Sequence, residues 1–181
     1  MASSASTKWH SQPVAIGLRF LALVSSLAAL VAFAYSQNRH DLEAVLVSDL
    51  GFHAVTPATG TIEYAFIWAL IIVSIELSTP FALHPGLYVA FDLIAWLGVA
   101  VGVFMYLGVM EPYYTRPYTC GRDYPDCNGK QVADVEHFAT AMALLTLVIN
   151  FGFFVVACRA TDKLRKSQRV VKNETAGDNA A

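Results

Sequence analysis

Residues 86–108, GLYVAFDLIAWLGVAVGVFMYLG, decide the fold. The run is aliphatic, aromatic or glycine throughout, except for one charged residue, Asp92. Such length and apolarity predict a transmembrane helix, because a hydrocarbon core about 30 Å thick takes about 20 helical residues. Asp92 falls about two turns into the run, counting 3.6 residues per turn. An ionisable group at that depth costs about 2.5–3.5 kcal/mol on insertion scales unless it is paired or hydrated. Asp92 therefore needs a partner elsewhere in the chain.

Three further apolar runs flank this one. Residues 14–35 form the first span, 61–80 the second, 86–108 the third and 136–158 the fourth. In the first, Ala32-Phe33-Ala34 has the small-x-small pattern of a signal cleavage site. The run outlasts a signal core of about 7–15 residues and contains Arg19, so an uncleaved anchor is expected. Residues 1–13 are Ser/Thr-rich and read as a disordered lead-in. Residues 36–60 read as a polar connector in which 42–52, LEAVLVSDLGF, could make a short surface helix. The turn at His84-Pro85-Gly86 is short enough to make spans two and three an antiparallel hairpin. A polar loop at 109–135 precedes span four, and from 161 the chain reads as a basic, then disordered, tail.

Composition agrees with lipid as the main solvent. Charged residues make up 14% of the chain, against about 25% in soluble domains. The net charge of −2 gives no footprint for nucleic acid. Half of the 12 Lys and Arg lie between Arg159 and Lys172, and Lys8 flanks span one on the same side. The positive-inside rule then places both termini in the cytosol. The expected fold class is all-α, a four-transmembrane-helix bundle filling residues 14–160 of a multi-pass protein in the plasma membrane or a secretory-pathway membrane.

With that topology, Arg19 and Asp92 lie at similar depths, about 8 and 10 Å from the cytosolic ends of their spans at 1.5 Å per residue. Arg can offer a carboxylate a bidentate fork, so the two are the expected intramembrane ion pair. Glu76 in span two and Asn150 in span four extend the pair into a polar layer. Such a layer could register helices or relay ions, and Arg19 could instead snorkel to the headgroups. Polar groups inside bundles serve as interhelical hydrogen-bond partners. A relay would also want acids through the outer half, where this reading finds Glu63 alone. Registration is the expectation.

These residues resemble a family, the MARVEL-type four-span membrane proteins, and within it the small fungal members. A basic residue early in span one, the hairpin of spans two and three, and the acid within Val89-Ala90-Phe91-Asp92-Leu93 carry the resemblance. The related plant Casparian-strip proteins likewise have an Arg in span one and an Asp in span three, matching Arg19 and Asp92. The resemblance covers residues 14–160 and implies a non-enzymatic membrane-organising or trafficking protein. It would act through helix packing and lateral association with itself or with other membrane proteins. A small transporter or channel accessory subunit using Arg19, Asp92 and Glu76 is the alternative. Claudin and tetraspanin loop signatures are missing from 36–60 and 109–135 respectively.

Other features bear on partners and chemistry. Cys120 and Cys127 fall on the non-cytosolic, oxidising side, where a disulfide closing a small loop is expected, free thiols or a redox pair being the alternatives. Cys158 at the inner boundary suits S-palmitoylation, or is simply a small residue ending a helix. Arg159, Lys163, Arg165, Lys166 and Arg169 should attract anionic lipid, or only set topology. Tyr113, Tyr114, Tyr118 and Tyr124 crowd the outer loop, as an interfacial belt or a partner surface. His40, His53, His84 and His137 lie near span ends, and none is mid-span to ligate haem. No cofactor, metal set or catalytic pair is expected. Gly98 and Gly102 with Ala95 make a small-residue face, either inside the bundle or between copies.

Overall fold

The computed structural model describes residues 13–43, 50–78, 85–114 and 129–178. These form four α-helices: α1 (Pro13–Glu43), α2 (Leu50–Ser78), α3 (Pro85–Tyr114) and α4 (Gly129–Asp178). Pro13 and Pro85 open α1 and α3, a position where the missing N–H is not needed and the fixed φ suits a helix. Each helix contains a segment long and apolar enough to cross a membrane: Val14–Arg39, Val55–Ser78, Gly86–Val109, and part of Gln131–Gln168.

The helices form a ring in which α1 and α3 both pack on α2 and on α4. Side-chain pairs give the directions. Ser25 meets Thr146 and Ser36 meets Glu136, so α1 and α4 are antiparallel. Trp68 meets Asp92, while Thr61 lies beside Gly98 and Gly102, so α2 and α3 are antiparallel too. The diagonal helices α1 and α3 are parallel. Arg19 reaches Asp92 at a separation of 73 residues, and Phe33 meets Tyr106 edge-on at 5.2 Å with the same offset.

Side-chain size is distributed inside out. The buried stripe of α1 is Arg19, Ala22, Ser25, Ser26, Ala29, Ala32, Phe33 and Ser36, mostly small or polar. Its large aliphatic residues, such as Leu18, Leu21, Val24 and Leu27, point outward. Elsewhere Phe104 is 63% exposed and Val148 66%. Water would make such an exterior costly at about 25 cal/mol per Å² of apolar area, and soluble monomers rarely show apolar patches beyond a few hundred Å².

The helices outrun the spans expected from sequence. α1 continues to Glu43, because Ser36, Gln37 and Arg39 find partners in Glu136, Thr56 and Tyr35. α2 begins at Leu50 and passes through Pro57 and Gly60. Val55, Ala58 and Ile62 are fully buried, and this packing carries the helix past a proline that removes one backbone bond. The expected separate surface helix at 42–52 is thus divided, Leu42 and Glu43 closing α1 and Leu50 onward opening α2. The expected disordered tail is helical as far as Asp178. Its residues 159–176 include no Gly or Pro and are rich in good helix formers. Cys120, Cys127, Tyr118 and Tyr124 lie outside the described residues.

Gly102 sets the closest approach of α2 to α3. A Cβ there would collide with Thr61 Oγ1 and stand 3.1 Å from the Pro57 carbonyl oxygen and 3.2 Å from Ala58 Cα. A Cβ on Gly98 would meet Thr61 at an ordinary 3.8 Å. The small-residue face therefore packs within the bundle. Gly102→Ala should lower stability by about 1–3 kcal/mol through overpacking, while Gly98→Ala should change it little. Thermal unfolding of the two variants in one detergent checks the contrast.

Candidate functional site

The buried stripe of α3 runs Tyr88, Asp92, Ala95, Val99, Val103, Tyr106. These spacings of three and four residues bring one helix face to the bundle centre. Asp92 occupies a core position and is fully buried. Arg19 answers it from the opposite corner, Nη1 donating to Oδ1 at 2.9 Å and Nη2 to Oδ2 at 3.0 Å. A third donor comes from α2, Trp68 Nε1 to Asp92 Oδ1 at 2.7 Å. The fourth helix supplies a ring: the Arg19 guanidinium carbon lies 3.7 Å from the Phe153 centroid and 5.8 Å from that of Tyr88. All four helices thus touch one ion pair.

Each partner suits its place. A guanidinium matches a carboxylate with two parallel bonds and keeps its flat face for an aromatic ring. Trp68 stacks on Phe91 at 4.6 Å, which holds the indole N–H toward Asp92. Arg19 Nε is buried without a hydrogen-bond partner, as is the Tyr64 hydroxyl one turn before Trp68. The arginine side chain is 3% exposed, so it turns into the core and does not snorkel. Glu76 is half-buried and lies within electrostatic reach of both Arg19 and Asp92. Asn150 is buried, but no side-chain hydrogen bond joins it to the pair among the described residues.

A second buried carboxylate lies toward the other end. Glu136 on α4 is fully buried and accepts a hydrogen bond from the Ser36 hydroxyl. Thr140 Oγ1 caps the Glu136 backbone carbonyl at 2.8 Å. The apolar run alone puts the start of span four at Glu136, whereas the helix starts at Gly129. A signal was present, since Glu136, Ala139, Ala143, Thr146 and Asn150 keep one helical face and all are buried.

Between the two carboxylates the Ser25 and Thr146 hydroxyls lie 2.8 Å apart; one donates to the other, which donates in turn to a carbonyl of its own helix, Ala22 or Met142. Beyond them, toward Glu136, the core is Ala29, Ala143, Val99, Val103 and the Phe33–Tyr106 pair. Ser36 is 11 residues from Ser25 along α1, about 16 Å at 1.5 Å per residue. Neither Ser25 nor Thr146 hydrogen-bonds directly to Ser36 or Glu136.

At the end of the bundle beside the ion pair, Cys158 is a half-buried free thiol. Arg159, Lys163, Arg165 and Lys166 are exposed beyond it. Lys166 also pairs with Asp162 at 2.8 Å, one turn earlier. Arg169 is helical, and its side chain lies outside the described set.

Comparison with protein-family models, curated proteins and solved structures returns no match to this chain. Its chemistry therefore has to be read from the bundle itself.

The three donors on Asp92 can be separated experimentally. Trp68→Phe keeps an aromatic ring for Phe91 but removes the indole N–H from a charged acceptor. It should cost about 1.5–3 kcal/mol, as for hydrogen bonds to charged groups, seen as a lowered Tm in detergent.

Proposed function

We propose that this chain is a multi-pass membrane protein, with both termini cytosolic, that works without catalysis as a membrane organiser of MARVEL type. It sits in the plasma membrane or a secretory-pathway membrane. Its interior is committed to holding the bundle together, and its outer surface is what other components meet. The exposed cations following Cys158 then lie against anionic lipid of the cytosolic leaflet, worth about 1 kcal/mol per nearby Lys or Arg.

The observation that carries this reading is the inversion of polarity. Large apolar side chains cover the outside, while the Arg19–Asp92 pair is enclosed and held from all four helices. Hydrocarbon is the solvent for which that arrangement is stable, since an unpaired charge there costs several kcal/mol. The rival, a transporter or channel accessory subunit, would use the same polar groups as a pathway. A proton or ion needs successive donors and acceptors within hydrogen-bond reach, and neither Ser25 nor Thr146 hydrogen-bonds to Ser36 or Glu136.

Removing one charge should strand the other. Arg19→Leu and Asp92→Leu should each lose about 3–5 kcal/mol, because a lone buried charge remains, and the double variant should recover most of it. The readout is the yield of folded, monodisperse protein from membranes. Asp92→Asn in proteoliposomes completes the test. Normal folding with loss of a proton or ion flux shown by the wild type would replace the organiser reading with the transport one.

A further inference from the structure

Glu63 on α2 is the charge that the bundle does not absorb. It is exposed, and among the described residues it has neither a hydrogen bond nor an ion pair. Its depth follows from the register of α2 on α3. Thr61 lies against Gly98, which is midway along the apolar segment Gly86–Val109. Glu63 is two residues further, about 3 Å along the axis. On the membrane reading above, on which this inference rests, an outward carboxylate stands near the centre of the bilayer. Two methylenes cannot carry it to a headgroup layer about 15 Å away, half of a 30 Å core.

Neither protonation state removes the problem. Ionised, the group faces hydrocarbon as a charge; protonated, it still presents an O–H and a C=O that lipid cannot satisfy. Charged residues at such depth face a bundle interior or a partner. The surface beside Glu63 is shaped for a helix. Gly60, one turn away, has nothing within 4 Å of where a Cβ would stand, so an incoming backbone can come close. Ile67, one turn to the other side, is 46% exposed and offers an apolar flank.

Charge decides the occupant. Among the described residues, Arg19 is enclosed with Asp92, and Arg39 sits at the far end of α1 over the Tyr35 ring. Arg159, Lys163, Arg165 and Lys166 lie past the apolar part of α4. Among the described residues, a second copy of this chain therefore brings no cation to the depth of Glu63. We propose that the Gly60–Glu63–Ile67 face of α2 docks a transmembrane helix of another protein that carries a lysine or arginine near its middle.

The test uses the full-length protein, fluorescently labelled, in vesicles of neutral lipid. Two single-span probes are added, a leucine peptide with one central lysine and the same peptide without it. Alkaline extraction first establishes whether the protein is membrane-inserted. Extraction into the aqueous phase would overturn the membrane reading and this inference together. For inserted protein, energy transfer to the lysine peptide should exceed that to the plain peptide several-fold. Glu63→Leu, which leaves the core untouched, should bring it down to the plain-peptide level. Glu63→Lys should move the preference to a peptide with a central aspartate. Equal transfer to both peptides, or transfer unchanged in Glu63→Leu, would overturn the docking inference while leaving the membrane reading intact. So would Glu63-dependent pairing between copies of the chain that the lysine peptide does not compete away.

Discussion

The bidentate contact between Arg19 and Asp92 is the constraint to which the other interactions are fitted. It spans a diagonal of the bundle, where the two backbones are not neighbours and only a long side chain can close the distance. Taking two charges out of solvent is expensive, and their attraction offsets the cost only when geometry and extra hydrogen bonds are good. Here the geometry is parallel and double, the indole of Trp68 supplies a further donor, and Phe153 covers the guanidinium face. A one-residue slip of any helix would take its group out of reach. The pair therefore specifies register, a role that apolar contacts perform poorly when lipid and core are equally apolar.

The remainder of the core follows from that need for register. Between apolar helices in an apolar solvent, close approach and shape have to supply the cohesion. α1 contributes alanine and serine to its inner stripe, and Gly102 lets α3 come against the Pro57–Ala58–Thr61 backbone and side chain of α2. Larger rings fill the remaining space, Trp96 lying 5.1 Å from Phe151 and Phe33 meeting Tyr106 across the diagonal. The hydroxyls of Ser26, Thr59 and Thr161 donate to carbonyls of their own helices, which satisfies them without a partner on a neighbouring helix.

Two buried carboxylates in one small bundle invite comparison. Asp92 is neutralised by Arg19, and Glu136 accepts from the Ser36 hydroxyl among its contacts. They sit toward opposite ends, with an alanine- and aromatic-filled section between them. Each is held by partners on neighbouring helices, which ties both to the packing of the bundle. Glu63 on the outer face of α2, exposed and without a hydrogen bond or ion pair among the described residues, lies outside the bundle interior.

The number of apolar helices, the hairpin of α2 and α3, and Arg19 and Asp92 as mutual partners were legible from residue order alone. Length and hydropathy report on solvent, and a charge in such a run demands a partner whatever the tertiary details. Helix ends were not legible. Pro57, Gly60 and the polar residues after Tyr35 look like breakers until their partners and their burial against neighbouring helices are known. Glu136 was mistaken for a boundary residue for the same reason, since its partner Ser36 is 100 positions away. Trp68 and Phe153 gave no sign that they complete the ion-pair site, an apolar run being full of aromatic residues without any such duty. Residue order identifies the groups that cannot stand alone in an apolar medium. Which groups answer them is settled by the packing, because it depends on how helices distant in the chain are rotated against one another.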